Sequence, residues 1–457
     1  MHILIDSGSY HCLNVGDVAM LQAAIERFRI LFPEASIAVV TNSPENLAVL
    51  CPGVEPIPLA GRVAFLSDRF LGRADMFVPA PLRHALTRIE DGMRRSWPEG
   101  LSTLIAAKRA LALRSDFAAP RAYIDAINRA DLVVATGAGV FTDAFVENAI
   151  GVLTTLDLAL RRNIHTAAVG QGLGPVSNDA LKRRMADVLT RVDLIALRER
   201  RESVHLLDSL GVPADRVAVT GDDAIEMANR HAPQQLGTSL GVNVRLASYA
   251  GTSGGIIDVV GPVVTRAASR LDASLTSVPI AHHPDCHDGL TVRDLIGSGA
   301  EPADAAPGLR TPDHAMAAVS RCRVVVTGSY HGAVFALAQG IPVVAIAASP
   351  YYFNKFAGLA ELFEGGCTIV SLVERDAAAR LESAIDTAWA GAPAIRESLL
   401  QAARVQIEQG RAAYRRLADL VRRSGSPSRE RRSDHPPLVP IPAADATGVD
   451  VGARPRP

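Results

Sequence analysis

The stretch TGSYHGAVFALAQGIPVVAI, residues 327–346, decides how this chain is read. RCRVVV stands before it and ends a strand-like segment. After it come an apolar run of helical length, Gly-Ile-Pro, and a second strand-like run, PVVAIA (342–347). Short apolar runs without alternation suit parallel strands buried on both faces, and the run between them suits the crossover helix of a βαβ unit. One polar ring interrupts the pattern. His331 falls in the first turn of the helix, at the carboxyl end of a strand. There, unpaired backbone N–H groups and the helix dipole favour polar and anionic ligands. The two readings of such a residue are a core histidine satisfied by a neighbour and a general acid–base group at a cleft.

Working outward, the same alternation recurs. HILID (2–6) leads through the loop SGSYHCLNVG to the helix-like DVAMLQAAIERFRILF and then to SIAVVT (36–41). DLVVATG (131–137), TAAVGQG (166–172), DLIALR (193–198) and RVAVTG (216–221) continue it. The rhythm restarts after NRHAPQQLG (229–237) with SLGVNVR (239–245), SLTSVPIAHH (274–283) and RVVVTG (323–328). The fold class is therefore α/β, with two Rossmann-like domains, 1–230 and 238–394, facing a cleft. A helix follows at 395–423, and a Pro-, Arg- and Ser-rich tail, 424–457, reads as disordered. Residues 60–118, rich in Arg, Ala and Leu and carrying Phe65, Phe70, Phe77 and Trp97, break the rhythm. They read as a helical insertion, with ordinary packing as the first reading and an acceptor-binding or membrane-facing flap as the second.

Composition narrows the function. Of 457 residues, 48 % are hydrophobic and 21 % charged, and the formal net charge is −1. That balance lacks the basic excess of a nucleic-acid binder, so an anionic ligand must be held by local cations. Five scattered cysteines without a CxxC spacing argue against a disulfide framework or a zinc site. The start MHILIDSGSY shows no basic region followed by an apolar one, and no run reaches the roughly 18 apolar residues of a membrane span. The expectation is a cytoplasmic protein.

Candidate site residues cluster at strand–loop–helix junctions, where ligands of doubly wound sheets bind. In GSYHCLNVGD (8–17), Gly16 allows tight entry into a helix, Asp17 serves as cap or ligand group, and Asn14 suits a sugar hydroxyl. In ATGAGVFTD (135–143), Gly137 and Gly139 form a GxG without the third glycine of a dinucleotide fingerprint. In GQGLGPVSNDALKRR (170–184), Pro175 delays the next helix, so pyrophosphate clamping and NAD binding are disfavoured. In DLIALRERRES (193–203), Arg198 is nearest the strand end and suits a carboxylate or phosphate. Arg200 and Arg201 read as a solvated helix start paired with Glu199 and Glu202. Of Asp222 and Asp223, one caps a helix and one faces the cleft. In the second half, Asn243 and Arg245 end a strand. HHPDCHD resembles a metal cluster, but His282 and His283 on an extended chain point to opposite faces. They read as a polar acceptor-side loop, and no metal is assigned. Lys355, in SPYYFNKFAGLAELF, emerges after the next strand, where it meets an anion.

Taken in order, NVGDVAM, DLVVATGAGVFTD, VGQGLGPVSN, DLIALRERRES, VTGDD and SYHGAVFALAQGIPVVAI with Lys355 downstream resemble the polysaccharide pyruvyl transferase family over most of residues 1–390. The resemblance implies a fold like that of the two-domain GT-B glycosyltransferases. It also implies transfer of the enolpyruvyl carbons of phosphoenolpyruvate to two hydroxyls of a sugar, forming a ketal and releasing phosphate. His331 and Arg198 would be the catalytic residues. Ser329, Tyr330, Gly332, Lys355 and Arg245 would bind the donor. Asn14, Asp17, Gly137, Gly139, Asp222, His282 and His283 would face the acceptor, a saccharide or lipid-linked saccharide met at the inner face of a membrane. No cofactor is called for beyond phosphoenolpyruvate as donor substrate, and no nucleic acid is a partner. Where the family pattern reads Arg-Leu-His, this chain reads Ser329-Tyr330-His331. That leaves Lys355 or Arg245 to supply the charge, or a different donor. A GT-B glycosyltransferase using a nucleotide sugar and a non-catalytic member of an envelope polysaccharide pathway are the competing readings.

Overall fold

The computed structural model describes residues 1–69, 72, 78–137, 139–245, 255–284, 286–296 and 309–424. The first half builds a sheet from β1 (His2–Asp6), β2 (Ser36–Thr41), β3 (Glu55–Pro58), β4 (Leu132–Thr136), β5 (His165–Gln171), β6 (Leu194–Leu197) and β7 (Val217–Val219). Their order is 3-2-1-4-5-6-7, and every pair is parallel. In the second half come β8 (Ser239–Asn243), β9 (Leu275–Ser277), the two-residue hairpin strands β10 (His282–His283) and β11 (Cys286–His287), β12 (Cys322–Thr327), β13 (Val343–Ala347) and β14 (Cys367–Ser371). Strands β14-β13-β12-β8-β9 form a second parallel sheet. Helices cover the faces of both sheets, so the strands are buried on both sides and carry unbroken runs of Val, Ile, Leu and Ala. The strand order reverses between β1 and β4 in one sheet and between β8 and β12 in the other. In such folds these are the places where the loops part and a ligand enters.

Several sequence expectations need correction. SLTSVPIAHH is not one strand. It leaves the sheet at Pro279, which has no N–H for a ladder, and becomes β10 only at His282. The intervening backbone crosses to the first half: Ile280 O accepts from Val15 N (2.9 Å) and Leu13 O from His282 N (2.8 Å). The edge strands β3 and β14 were not foreseen; β3, EPIP, holds two prolines, which a sheet tolerates at its edge. The final helix is not a separate element over 395–423 but one helix of 48 residues, Ala377–Ser424. Leu381 and Ile385 pack with β13 and β14, Leu399 and Ala403 with the helix Tyr330–Ala338, and Tyr414 and Leu417 with β1, β4 and β5 of the other half. The tail beyond Ser424 lies outside the described residues.

The stretch after β3 is helical where described, in Leu59–Ser67, Ala80–Ser96 and Pro98–Leu111. Phe65 and Leu101 enter the core beside Tyr123, whereas Trp97 is 53 % exposed. Phe70 and Phe77 lie outside the described residues. Among the described residues no helix is long and apolar enough to cross a membrane.

Candidate active site

Loops at the carboxyl ends of both sheets enclose a cleft of about 460 Å³. Ser9, Tyr10, His11 and Asn14 come from the loop after β1, Asp17 from the first turn of the helix that follows, Val140 and Phe145 from the loop after β4, and Arg198 from the end of β6. The second half contributes Arg245, His283, Ser329, Tyr330, His331, Tyr351, Tyr352 and Lys355.

His331 is carried by the helix Tyr330–Ala338, all of whose residues are buried. A helix apolar on every side belongs in a core, and this one fixes its first turn against the opposite half. The contact is close. A Cβ on Gly16 would stand 2.1 Å from His331 Cγ, so only glycine leaves room for the ring. Asn14 opens the helix Val15–Leu31 by accepting from Gly16 N (3.0 Å) and Asp17 N (3.4 Å). That places Asp17 Oδ1 3.9 Å from His331 Nδ1. On the other side of the ring, His331 Nε2 lies 3.6 Å from Asp222 Oδ2. The same oxygen lies 3.6 Å from Arg198 Nη1.

Arg198 is buried, with its guanidinium 4.3 Å above the Tyr330 ring. Lys355 Nζ sits 4.2 Å from the centre of the Tyr351 ring. A Cβ on Gly139, which has a φ of +61°, would meet both cations, 2.8 Å from Arg198 Nη2 and 3.3 Å from Lys355 Nζ. Two basic groups thus share one corner of the cleft. Burial, reinforced by the Arg198 charge, pulls the Lys355 ammonium well below the ordinary lysine range. No carboxylate stands within ion-pair distance of Lys355 among the described residues, so the corner is built for an incoming anion. Burial pushes the Tyr330 phenol up, and its hydroxyl, like Ser329 Oγ, is buried without a hydrogen-bond partner.

The other candidate residues divide. Arg245 lines the cleft but is engaged by Asp288, with Nε–Oδ1 at 3.2 Å and Nη2–Oδ2 at 2.9 Å. Asp288 also accepts from Asn243 Nδ2 (2.8 Å), Ile280 N (3.0 Å) and Ala281 N (2.9 Å). Burial raises the Asp288 carboxyl, but Arg245 and these donors outweigh it and hold the group below the usual carboxylate range. His283 faces the cleft and meets the His11 ring edge-on at 5.4 Å. His282 turns instead toward His287, with ring centres 5.0 Å apart.

Four expectations fail. Gly137 is a packing glycine, whose Cβ would lie 2.0 Å from Gly170 O, and it does not line the cleft. Gly332 is another, close against Thr327 Oγ1. Asp222 does not reach the open cleft but lies behind His331 and Arg198, while Asp223 is taken by Arg27 and Tyr414. Glu199 and Glu202 do not pair with the neighbouring arginines. Glu199 accepts from Ser203 N and Glu202 N, Glu202 from Asn354, and Arg201 binds Glu361 at 2.7 Å.

Sequence reasoning missed the wall built by Tyr10. Its hydroxyl donates to Asp6 Oδ1 (2.9 Å) and accepts from Arg62 Nη2 (2.7 Å), and Arg62 Nη1 lies 2.5 Å from Asp6 Oδ2. Arg62 comes from the helical insertion, so the insertion props the cleft from behind.

Two parallel-sheet halves, with a histidine of one and an arginine of the other at a shared cleft, give a GT-B-like architecture. The chain matches the family model for polysaccharide pyruvyl transferase over residues 14–350, and it belongs to that family. Solved structures give the same architecture. The UDP-N-acetylglucosamine 2-epimerase of Neisseria meningitidis bound to UDP-GlcNAc superposes with a TM-score of 0.51 at 13 % identity, over 92 % of this chain and 100 % of that one. The S. aureus MnaA–UDP structure gives 0.52 at 12 %, over 93 % and 96 %. The glycosyltransferase of kitacinnamycin gives 0.50 at 15 %, over 92 % and 98 %. No curated protein matches the chain in sequence.

Proposed function

We propose that the protein transfers the enolpyruvyl group of phosphoenolpyruvate to a saccharide, forming a pyruvate ketal on two hydroxyls of a cell-surface polysaccharide or its lipid-linked precursor. The observation that carries this reading is the corner where Arg198 and Lys355 stand together beside His331. A small donor with both a carboxylate and a phosphate needs concentrated positive charge, and needs a proton-transfer group next to it. Arg198 and Lys355 hold the two anionic groups. The unpartnered hydroxyls of Ser329 and Tyr330 give further polar contacts where the family pattern has arginine and leucine. Tyr10, His11, Asn14 and Phe145 face them from the other half and suit a sugar ring, with aromatic surfaces for its apolar face and an amide for its hydroxyls.

The chemistry balances without a redox partner. One acceptor hydroxyl forms a bond to C2 of phosphoenolpyruvate as C3 gains a proton and becomes a methyl group. A second hydroxyl then bonds to C2, the C2–O bond to phosphate breaks, and that hydroxyl's proton leaves with the phosphate. His331 carries the protons between hydroxyl and donor. Acid–base catalysis of this kind is worth about 10²–10⁴-fold, so His331→Ala lowers turnover by that factor in a phosphate-release assay with lipid-linked or oligosaccharide acceptors, and the fold survives. Thermal shift tests the donor directly. Phosphoenolpyruvate raises the melting temperature and UDP does not. Stabilisation by UDP alone would move the assignment to a nucleotide-sugar glycosyltransferase.

A further inference from the structure

We propose that Asp222 is a positioning residue that holds His331 with Nε2 turned inward, leaving Nδ1, beside Asp17, as the nitrogen that exchanges protons with substrate. The inference rests on the reading of His331 as the acid–base group, but its first test does not.

Asp222 lies just past β7 and is 3 % exposed. Its carboxylate is anchored at one end. Oδ1 accepts from Ala224 N at 2.9 Å, and Oδ2 has no hydrogen-bond partner and points between Arg198 Nη1 and His331 Nε2. His331 Nε2 is likewise buried without a partner. These orphaned atoms, one from each half of the molecule, face each other across 3.6 Å. Catalytic hydrogen bonds are often long before substrate binds and tighten afterwards. Burial raises the Asp222 carboxyl, yet His331 and Arg198 outweigh it and keep the group below the ordinary carboxylate range. An ionised carboxylate only accepts, so the nitrogen facing it must carry hydrogen. In neutral imidazole the other nitrogen then holds the lone pair. That nitrogen, Nδ1, lies on the side of Asp17, which lines the cleft. The ring sits in a packed surround: a Cβ on Gly16 would lie 2.2 Å from Nδ1, and the Tyr330 and Phe335 rings lie 5.5 and 6.3 Å away, centre to centre.

The ring is thus bracketed by two carboxylates of the opposite half with different work. Asp222 sets which nitrogen is protonated. Asp17 stands where a proton arriving at Nδ1 would be stabilised. Arg198 Nη1 faces the same oxygen at 3.6 Å, so the anion-binding and proton-transfer groups share one buried carboxylate.

The test is nitrogen NMR on protein labelled at histidine, without any donor or acceptor, at a pH where the imidazoles are neutral. The His331 signals are assigned by their loss in His331→Gln. The expected result is the Nε2–H form for His331 in the unmodified protein. Finding the Nδ1–H form there overturns the proposal, and this arm needs no variant of Asp222. In Asp222→Asn the single form gives way to a mixture of both; an unchanged tautomer in that variant also overturns it. In the phosphate-release assay Asp222→Asn lowers kcat by about 10²-fold, the scale of a misplaced catalytic group, and leaves KM for phosphoenolpyruvate within a few-fold. A loss confined to KM would make Asp222 a donor-binding residue and overturn the assignment. Absence of phosphate release from the unmodified protein would sink the proposed reaction and leave the tautomer result standing.

Discussion

Gly16 and His331 are a matched pair. Glycine near a helix start is normally a small liability, and alanine there would gain about 0.5–1 kcal/mol. Here the added methyl falls inside the imidazole of the other half. Gly16→Ala is therefore expected to destabilise the protein by about 1–3 kcal/mol, the cost of overpacking, and to lower turnover with it. Denaturant titration and the release assay check both, and a stabilised, fully active variant would refute the close approach. Lys355 gives a second expectation at this scale. Its ammonium is depressed in the free protein by burial and by Arg198. An anion seated beside it restores the charge, so binding takes up a proton between the depressed value and the ordinary lysine value of about 10.4. Affinity for phosphoenolpyruvate therefore weakens as pH rises through that window. Calorimetry in buffers of different ionisation enthalpy shows the uptake, and Lys355→Met abolishes it. A binding heat independent of buffer in the unmodified protein would contradict the placement. That His331, Arg198 and Lys355 come to one cleft was legible because strand ends and helix starts are visible in apolar periodicity. Asp222 was legible as polar but not as hidden, since sequence spacing says nothing about which of two adjacent carboxylates turns toward a neighbouring domain.

At the scale of elements, the segment that leaves β9 and returns as β10 is held by one buried side chain. Asp288 collects two backbone N–H groups of that segment, Asn243 at the end of β8, and the fork of Arg245. Removing it takes the carboxylate from a buried guanidinium and strands two backbone donors, so Asp288→Ala is expected to cost about 3–5 kcal/mol. Because its folded-state pKa is lowered, its contribution is fully present above the ordinary carboxylate range and is lost as pH falls through and below about 3.9. Urea titrations on both sides of that range read the effect; equal stability of Asp288→Asn and the unmodified protein at both would rule it out. The strands themselves were mostly foreseeable, because a strand buried on both faces is an unbroken apolar run. The exceptions have reasons. β3 is interrupted by prolines, and SLTSVPIAHH joins two short strands whose boundary is set by Pro279 and by contacts with a distant loop.

For the whole molecule, the helix Ala377–Ser424 joins what sequence reading separated. Its periodic, polar-faced sequence predicts a helix but not which core each turn enters. Tyr414 donates to Asp223 Oδ2 at 2.9 Å while Arg27 lies 4.8 Å over its ring, and Arg411 Nη2 reaches Glu226 Oε1 at 2.6 Å. This buried cluster fastens the last turns of the helix beside Asp222. Tyr414→Phe leaves Asp223 short of a donor and is expected to cost about 1–3 kcal/mol in denaturant unfolding. An unchanged midpoint would show that the cluster does not hold the helix.

The same helix has a bearing on synthesis. Tyr414 and Leu417 complete a core begun by Ile3, Ile5 and Val134. A growing chain that has already emitted its first sheet must wait for nearly everything else before that face is covered. Domain-by-domain maturation during translation, the usual route for chains of this size, therefore leaves one patch of the first core waiting for the last helix. A stop codon between residues 377 and 414 would release a product that keeps every cleft residue but lacks Tyr414 and Leu417 from its oldest core.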